Sequence, residues 1–104
     1  MIVFRAMSLE EANKVTEDNP LNWRSKFKWF GTEAFVKQRV LDGKFNNSKY
    51  KDKYVVLCKY EITKGIENFS KCGNREFMLS IRKANNVAIK LISKTIIKGE
   101  TNDE

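Results

Sequence analysis

The sequence predicts an α+β protein, with helices early in the chain and an antiparallel sheet late. Three observations carry that expectation. The chain opens on a short apolar run, Ile2-Val3-Phe4, of β-branched and aromatic type. Two short apolar periods of helical spacing follow, behind Ser8 and Thr32. From residue 54 onward the pattern alternates, with turn residues between the alternating runs. The implied order is strand, helix, strand, helix, then three or four strands. One domain is expected over 1–99, with an acidic, frayed tail at 100–104.

Each element has its own warrant. Four apolar residues in a row at the start suit a strand buried on both faces, with Arg5 at its end. Ser8-Leu9-Glu10-Glu11 is a capping box, and Leu9, Ala12 and Val15 continue it as a helix over about 9–17. Pro20 ends that helix by disfavouring the helical state at Asn19. Lys26-Phe27-Lys28-Trp29-Phe30 alternates, which predicts a strand with a basic outer face. Trp23, Phe27, Trp29, Phe30 and Phe35 are then expected in the core. Thr32 is a good N-cap for a helix over 33–42 that Gly43 stops. Residues 44–53 read as an exposed, lysine-rich loop.

In the second half, Tyr54, Val56, Cys58, Tyr60 and Ile62 share one face of a long central strand. A connection with one helical turn is expected over 65–70, a loop over 71–74 and a strand over 75–82. Ala84-Asn85-Asn86 reads as a turn. Residues 87–98 suit one bent strand or two, and a helical period fits there as well.

Composition removes several chemistries. The 104 residues contain no histidine and two cysteines, Cys58 and Cys72. Serine–histidine and cysteine–histidine catalysis, zinc knuckles and a disulfide framework are therefore not expected, nor is any metal site. No apolar run approaches a membrane span, and the apolar start is too short for a secretory signal. Cytoplasmic residence with reduced thiols is the simplest expectation.

The net charge of +7 is unevenly placed. Residues 24–59 carry ten basic and three acidic side chains. Such a field favours polyanions, either nucleic acid, a dinucleotide or an acidic protein face. Arg24, Lys26, Lys28, Lys49, Lys51 and Lys53 are the candidate contacts. Arg5 has two readings. It is a structural ion-pair partner, or a planar fork that holds a carboxylate or phosphate at two points.

Three segments bear a resemblance. Phe4-Arg5-Ala6-Met7-Ser8 is an aromatic-arginine opening. Lys28-Trp29-Phe30-Gly31-Thr32-Glu33 is an aromatic-then-hydroxyl strand feeding a helix. Arg75-Glu76-Phe77-Met78-Leu79 is a glutamate-led strand. In this order they resemble the ADP-ribosyltransferase superfamily. The resemblance implies a split antiparallel or mixed sheet with two short helices in the N-terminal half. It also implies a site for NAD as co-substrate, in which Glu76 is catalytic. Arg5 would hold the diphosphate or adjoining ribose, Thr32 would hydrogen-bond the nicotinamide-side ribose or support Glu76, and Trp29 or Phe30 would offer an aromatic face to nicotinamide or the site wall. Asn74 stands two residues before Glu76, where many protein-modifying members carry glutamate or glutamine, so the acceptor stays open.

The functional expectation is an NAD-dependent mono-ADP-ribosyltransferase-like protein that modifies a macromolecule. The alternatives are a non-catalytic basic module that binds nucleic acid or an acidic protein face, and a small inhibitor of phage or plasmid type that occupies a host protein.

Overall fold

A computed structural model describes residues 1–23, 25–42 and 54–97. The described residues form two α-helices and six strands: β1 (Ile2–Ser8), α1 (Leu9–Lys14), β2 (Phe27–Gly31), α2 (Glu33–Leu41), β3 (Tyr54–Lys64), β4 (Ser70–Lys71), β5 (Glu76–Ser80) and β6 (Ala88–Ile96). Short 3-10 turns at Ile66–Asn68 and Ile81–Asn86 join the later strands. The strands form one sheet in the order β4-β5-β2-β1-β3-β6. Every pairing is antiparallel, so the mixed option falls away. The acidic tail, the lysine-rich loop and Gly43 lie outside the described residues.

The caps act as their chemistry requires. Ser8 accepts the Glu11 N–H at 3.2 Å and Thr32 accepts the Phe35 N–H at 3.4 Å. α1 is shorter than its apolar period, because Val15 turns extended. Lys94, far along the chain on β6, donates to the carbonyls of Ala12 and Val15 at 2.8 and 3.0 Å. It thereby satisfies acceptors that a longer helix would have used. Ala88–Ile96 form one strand with an irregular register opposite Lys59 and Tyr60, and the helical option falls away there.

The sheet has two covered faces. On the first, Val3, Met7, Phe30, Cys58, Tyr60 and Leu79 pack beneath α1. Phe30 meets Tyr60 and Phe69 edge-on, with centroids 5.8 and 5.6 Å apart. The Tyr60 hydroxyl donates to the Pro20 carbonyl at 2.7 Å and ties down the loop after α1. Burial pushes that hydroxyl upward, and it pushes the neighbouring Cys58 thiol up to about 11. On the second face, Phe4, Ala6 and Leu57 meet Val36 and Val40 of α2. β1 is thus buried on both faces, and the alternation expected of β3 holds from Val56 to Ile62. Tyr54 and Val55 depart from it, Tyr54 packing on the second face and Val55 on the first, because the register with β1 shifts between Met7 and Ser8.

The strand expectation at 26–30 holds, but its faces are reversed. Lys28 is 2% exposed, whereas Phe27 and Trp29 are 48% and 47% exposed. Phe30 belongs to the core beneath α1, and the two-residue period carries Lys28 to the same face. The basic outer face expected there is an aromatic one.

Gly31 lets α2 and β5 approach β2 closely. A Cβ at this position would stand 2.8 Å from both the Arg75 carbonyl oxygen and Val36 Cγ2. Gly31→Ala is expected to destabilise by about 1–3 kcal/mol, because the carbonyl is held in the sheet. A thermal midpoint lowered by about 4 °C or more would register it. An unchanged midpoint would mean that β5 and α2 part without cost.

Candidate functional site

The three resemblance segments fall on three adjacent strands, β1, β2 and β5. One cross-strand row runs through them: Phe4 opposite Gly31, and Gly31 opposite Glu76. Arg5 and Thr32 are each one residue from that row. The Thr32 N–H donates to the Arg75 carbonyl at 3.1 Å, which fixes the head of β5 against the start of α2.

The side chains divide between the two faces. Residues paired across an antiparallel ladder point the same way. Arg5, opposite Cys58, therefore belongs to the face under α1. Glu76, opposite Gly31, belongs to the face of Phe4 and α2, and it is half-buried. The two lie on strands that flank β2 and do not share a surface. Among the described residues, β1 and β2 share no register pair besides Phe4–Gly31, while β1 follows β3 along its whole length. The sheet is thus weakly joined at its centre. Arg5 lies at that joint, and its Nη1 donates across it to the Trp29 carbonyl at 3.3 Å.

Arg5 has a stronger partner. Its Nη2 donates to Glu11 Oε2 at 2.8 Å, and Lys28 Nζ donates to the same oxygen at 3.0 Å. The side chains of Arg5, Glu11 and Lys28 are 14%, 13% and 3% exposed. Burial is the largest influence on Glu11 and raises its pKa. The charges and hydrogen bonds of Arg5 and Lys28 together outweigh it, so the carboxyl sits below its ordinary value. The Arg5 Nε is buried with no hydrogen-bond partner. The structural reading of Arg5 is therefore realised, and one of its donors remains unused.

A second feature lies at the start of α2. A cleft of about 490 Å³ is lined by Thr32, Phe35, Gln38, Arg39, Asp42 and Arg75, among others. The Arg75 and Arg39 guanidinium carbons stand 4.8 and 5.4 Å from the centre of the Phe35 ring. Gln38 Nε2 donates to Asp42 Oδ1 at 2.9 Å on its rim. The cleft adjoins Glu76 through Arg75.

The remaining site residues have mixed fates. Phe30 is 2% exposed and cannot face a ligand, whereas Trp29 can. Lys28 is committed to Glu11, so it is not a surface contact for a polyanion. Lys26 is exposed. Arg24, Lys49, Lys51 and Lys53 lie outside the described residues. Reading the chain in one dimension missed the role of Glu11 beyond its cap, and missed Phe35, Arg39 and Arg75 as a group. Arg39 and Phe35 are four apart on a helix, which was the available signal. Nothing local pointed to Lys94.

Among the described residues, no helix is long and apolar enough to cross a membrane. No family model, curated protein or solved structure matches the chain.

Proposed function

We propose that this chain is an ADP-ribosyltransferase-like protein that uses NAD as co-substrate and modifies a macromolecular acceptor. The observation that carries the reading is the row Phe4–Gly31–Glu76, which gathers the arginine, hydroxyl and glutamate segments on three adjacent strands. The weak joint between β1 and β2 supports it, since parting the strands there would bring the opposite faces that carry Arg5 and Glu76 within reach of one ligand. The unused Arg5 Nε, buried while the joint is closed, would be the donor offered to a diphosphate once the strands part.

NAD supplies a labile bond between ribose and nicotinamide. In the transfer, that bond breaks with its electron pair leaving on nicotinamide. The acceptor's nucleophile forms the new bond to the same ribose carbon and gives up its proton. Glu76 accepts a hydrogen bond from a ribose hydroxyl and opposes the positive charge that develops on the ribose. Thr32 holds the ribose side at the head of α2, and Trp29 offers the accessible aromatic face near Glu76.

Titration calorimetry with NAD tests the binding half of the reading. The wild type is expected to bind, and Arg5→Lys to bind about tenfold more weakly. Lysine keeps a charge for Glu11 but loses the planar fork. Equal affinities would remove Arg5 from the site. No binding to the folded wild type would leave the alternative, a non-catalytic basic binding module.

A further inference from the structure

Among the described residues, no helix covers the outer part of the second sheet face. α2 packs on Phe4, Ala6 and Leu57, toward β1 and β3. Beyond it, Phe27 and Trp29 stand on β2 at alternate positions, half exposed and on one face. Alternate strand positions are about 7 Å apart, so the two rings form successive platforms. Met78 lies opposite Trp29 on that face and Ser80 opposite Phe27, while Glu76 lies opposite Gly31. The row of rings therefore leads directly to Glu76 and to the cleft with Arg75 beside Phe35.

We infer that this face binds single-stranded nucleic acid, with bases stacked on Trp29 and Phe27 and phosphate held at Arg75. Charge complementarity favours a polyanion, since the chain carries +7. The exposed rings favour nucleic acid over an acidic protein face, because every base presents a π surface and a carboxylate side chain does not. They favour a single strand over a duplex, whose bases are already stacked on one another. Resting on the transferase reading, this strand is the acceptor that the surface delivers to Glu76. Binding itself does not depend on that reading.

The test is fluorescence anisotropy of a labelled single strand of about 12 nucleotides. Wild type is compared with Phe27→Ala, Trp29→Leu and Arg75→Ala, with circular dichroism as the check on folding. Trp29→Leu keeps apolar bulk while removing the large ring. Binding should weaken about tenfold in each aromatic variant. Arg75→Ala should reduce the steepness of the salt dependence by about one phosphate contact. Variants that bind as wild type does, or no binding by folded wild type at low salt, would overturn the inference. So would poly-glutamate competing as well as the single strand, which would favour an acidic protein partner instead. NAD titrations on the same preparations separate the two proposals. Loss of strand binding in the wild type with NAD binding intact overturns the inference alone, and the reverse pattern overturns the transferase reading alone.

Discussion

Glu11→Ala is expected to lower the unfolding free energy by about 3–5 kcal/mol, because it leaves two buried cations without their shared carboxylate. Arg5 and Lys28 both converge on Glu11 Oε2, and the Lys28 side chain is 3% exposed. The thermal midpoint should fall by about 12 °C or more for a domain of this size. Glu11→Gln should recover part of the loss, since the amide oxygen still accepts a hydrogen bond without countering the charge.

The same group sets a pH dependence with a definite sign. The Glu11 carboxyl is held below its ordinary value in the folded protein. Its contribution to stability is therefore complete above the unfolded value of about 4.3 and is lost as pH falls through the lower folded value. Urea unfolding of the wild type should show this acid-side loss, and Glu11→Ala should lack that share of it. Equal stabilities of wild type and Glu11→Ala at neutral pH would mean that water replaces the carboxylate at no cost.

Glu76→Gln is the second large expected effect. Glutamine keeps the size and hydrogen-bonding reach of the side chain but removes the charge that opposes the developing cation on the ribose. Turnover should fall by about 10²–10³, the scale of losing one well-placed electrostatic group. NAD affinity should change little, because Arg5 and Thr32 carry the ground-state contacts in the proposed site. This pattern, a lower turnover number with binding retained, marks an interaction made in the transition state. Nicotinamide release followed by chromatography, with acceptor modification by mass, reads both quantities. Release at equal rates in wild type and Glu76→Gln would remove Glu76 from the chemistry. The Arg5→Lys titration would then bear on binding alone.

How far the chain could be read depends on the range of the forces involved. Ser8 and Thr32 were legible as caps, because capping is settled within one turn of helix. The alternation of β3 from Val56 to Ile62 was legible too, because a strand buried on both faces leaves its apolar positions in register with the core, whereas the exchange of faces at Tyr54 and Val55 comes from a register shift against β1. The antiparallel character of the late sheet followed from short connections between strands.

The β2 faces were not legible. Lys26-Phe27-Lys28-Trp29-Phe30 alternates equally well with lysines outward or inward. By transfer free energy alone the aromatics belong inside. The choice was made by Glu11, 17 residues from Lys28, whose carboxylate offsets the cost of burying the ammonium. Phe30 added its ring to the packing with Tyr60 and Phe69 on the same side. Arg5 had two readings for the same reason, since its partner lies on a helix whose direction the strand does not set.

The sequence by itself determined the α+β class, the order of the elements, both helix caps and the segments that carry Arg5, Thr32 and Glu76. Those follow from local sterics, capping and periodicity, which act within a few residues. Only the tertiary structure decided that these segments lie on adjacent strands, that Arg5 and Glu76 face opposite sides of a weakly joined sheet, and that Phe27 and Trp29 are left to solvent. Each of those outcomes rests on strand register and on ion pairs between residues distant in the chain. A shift of one residue in register exchanges the two faces while leaving every local preference unchanged.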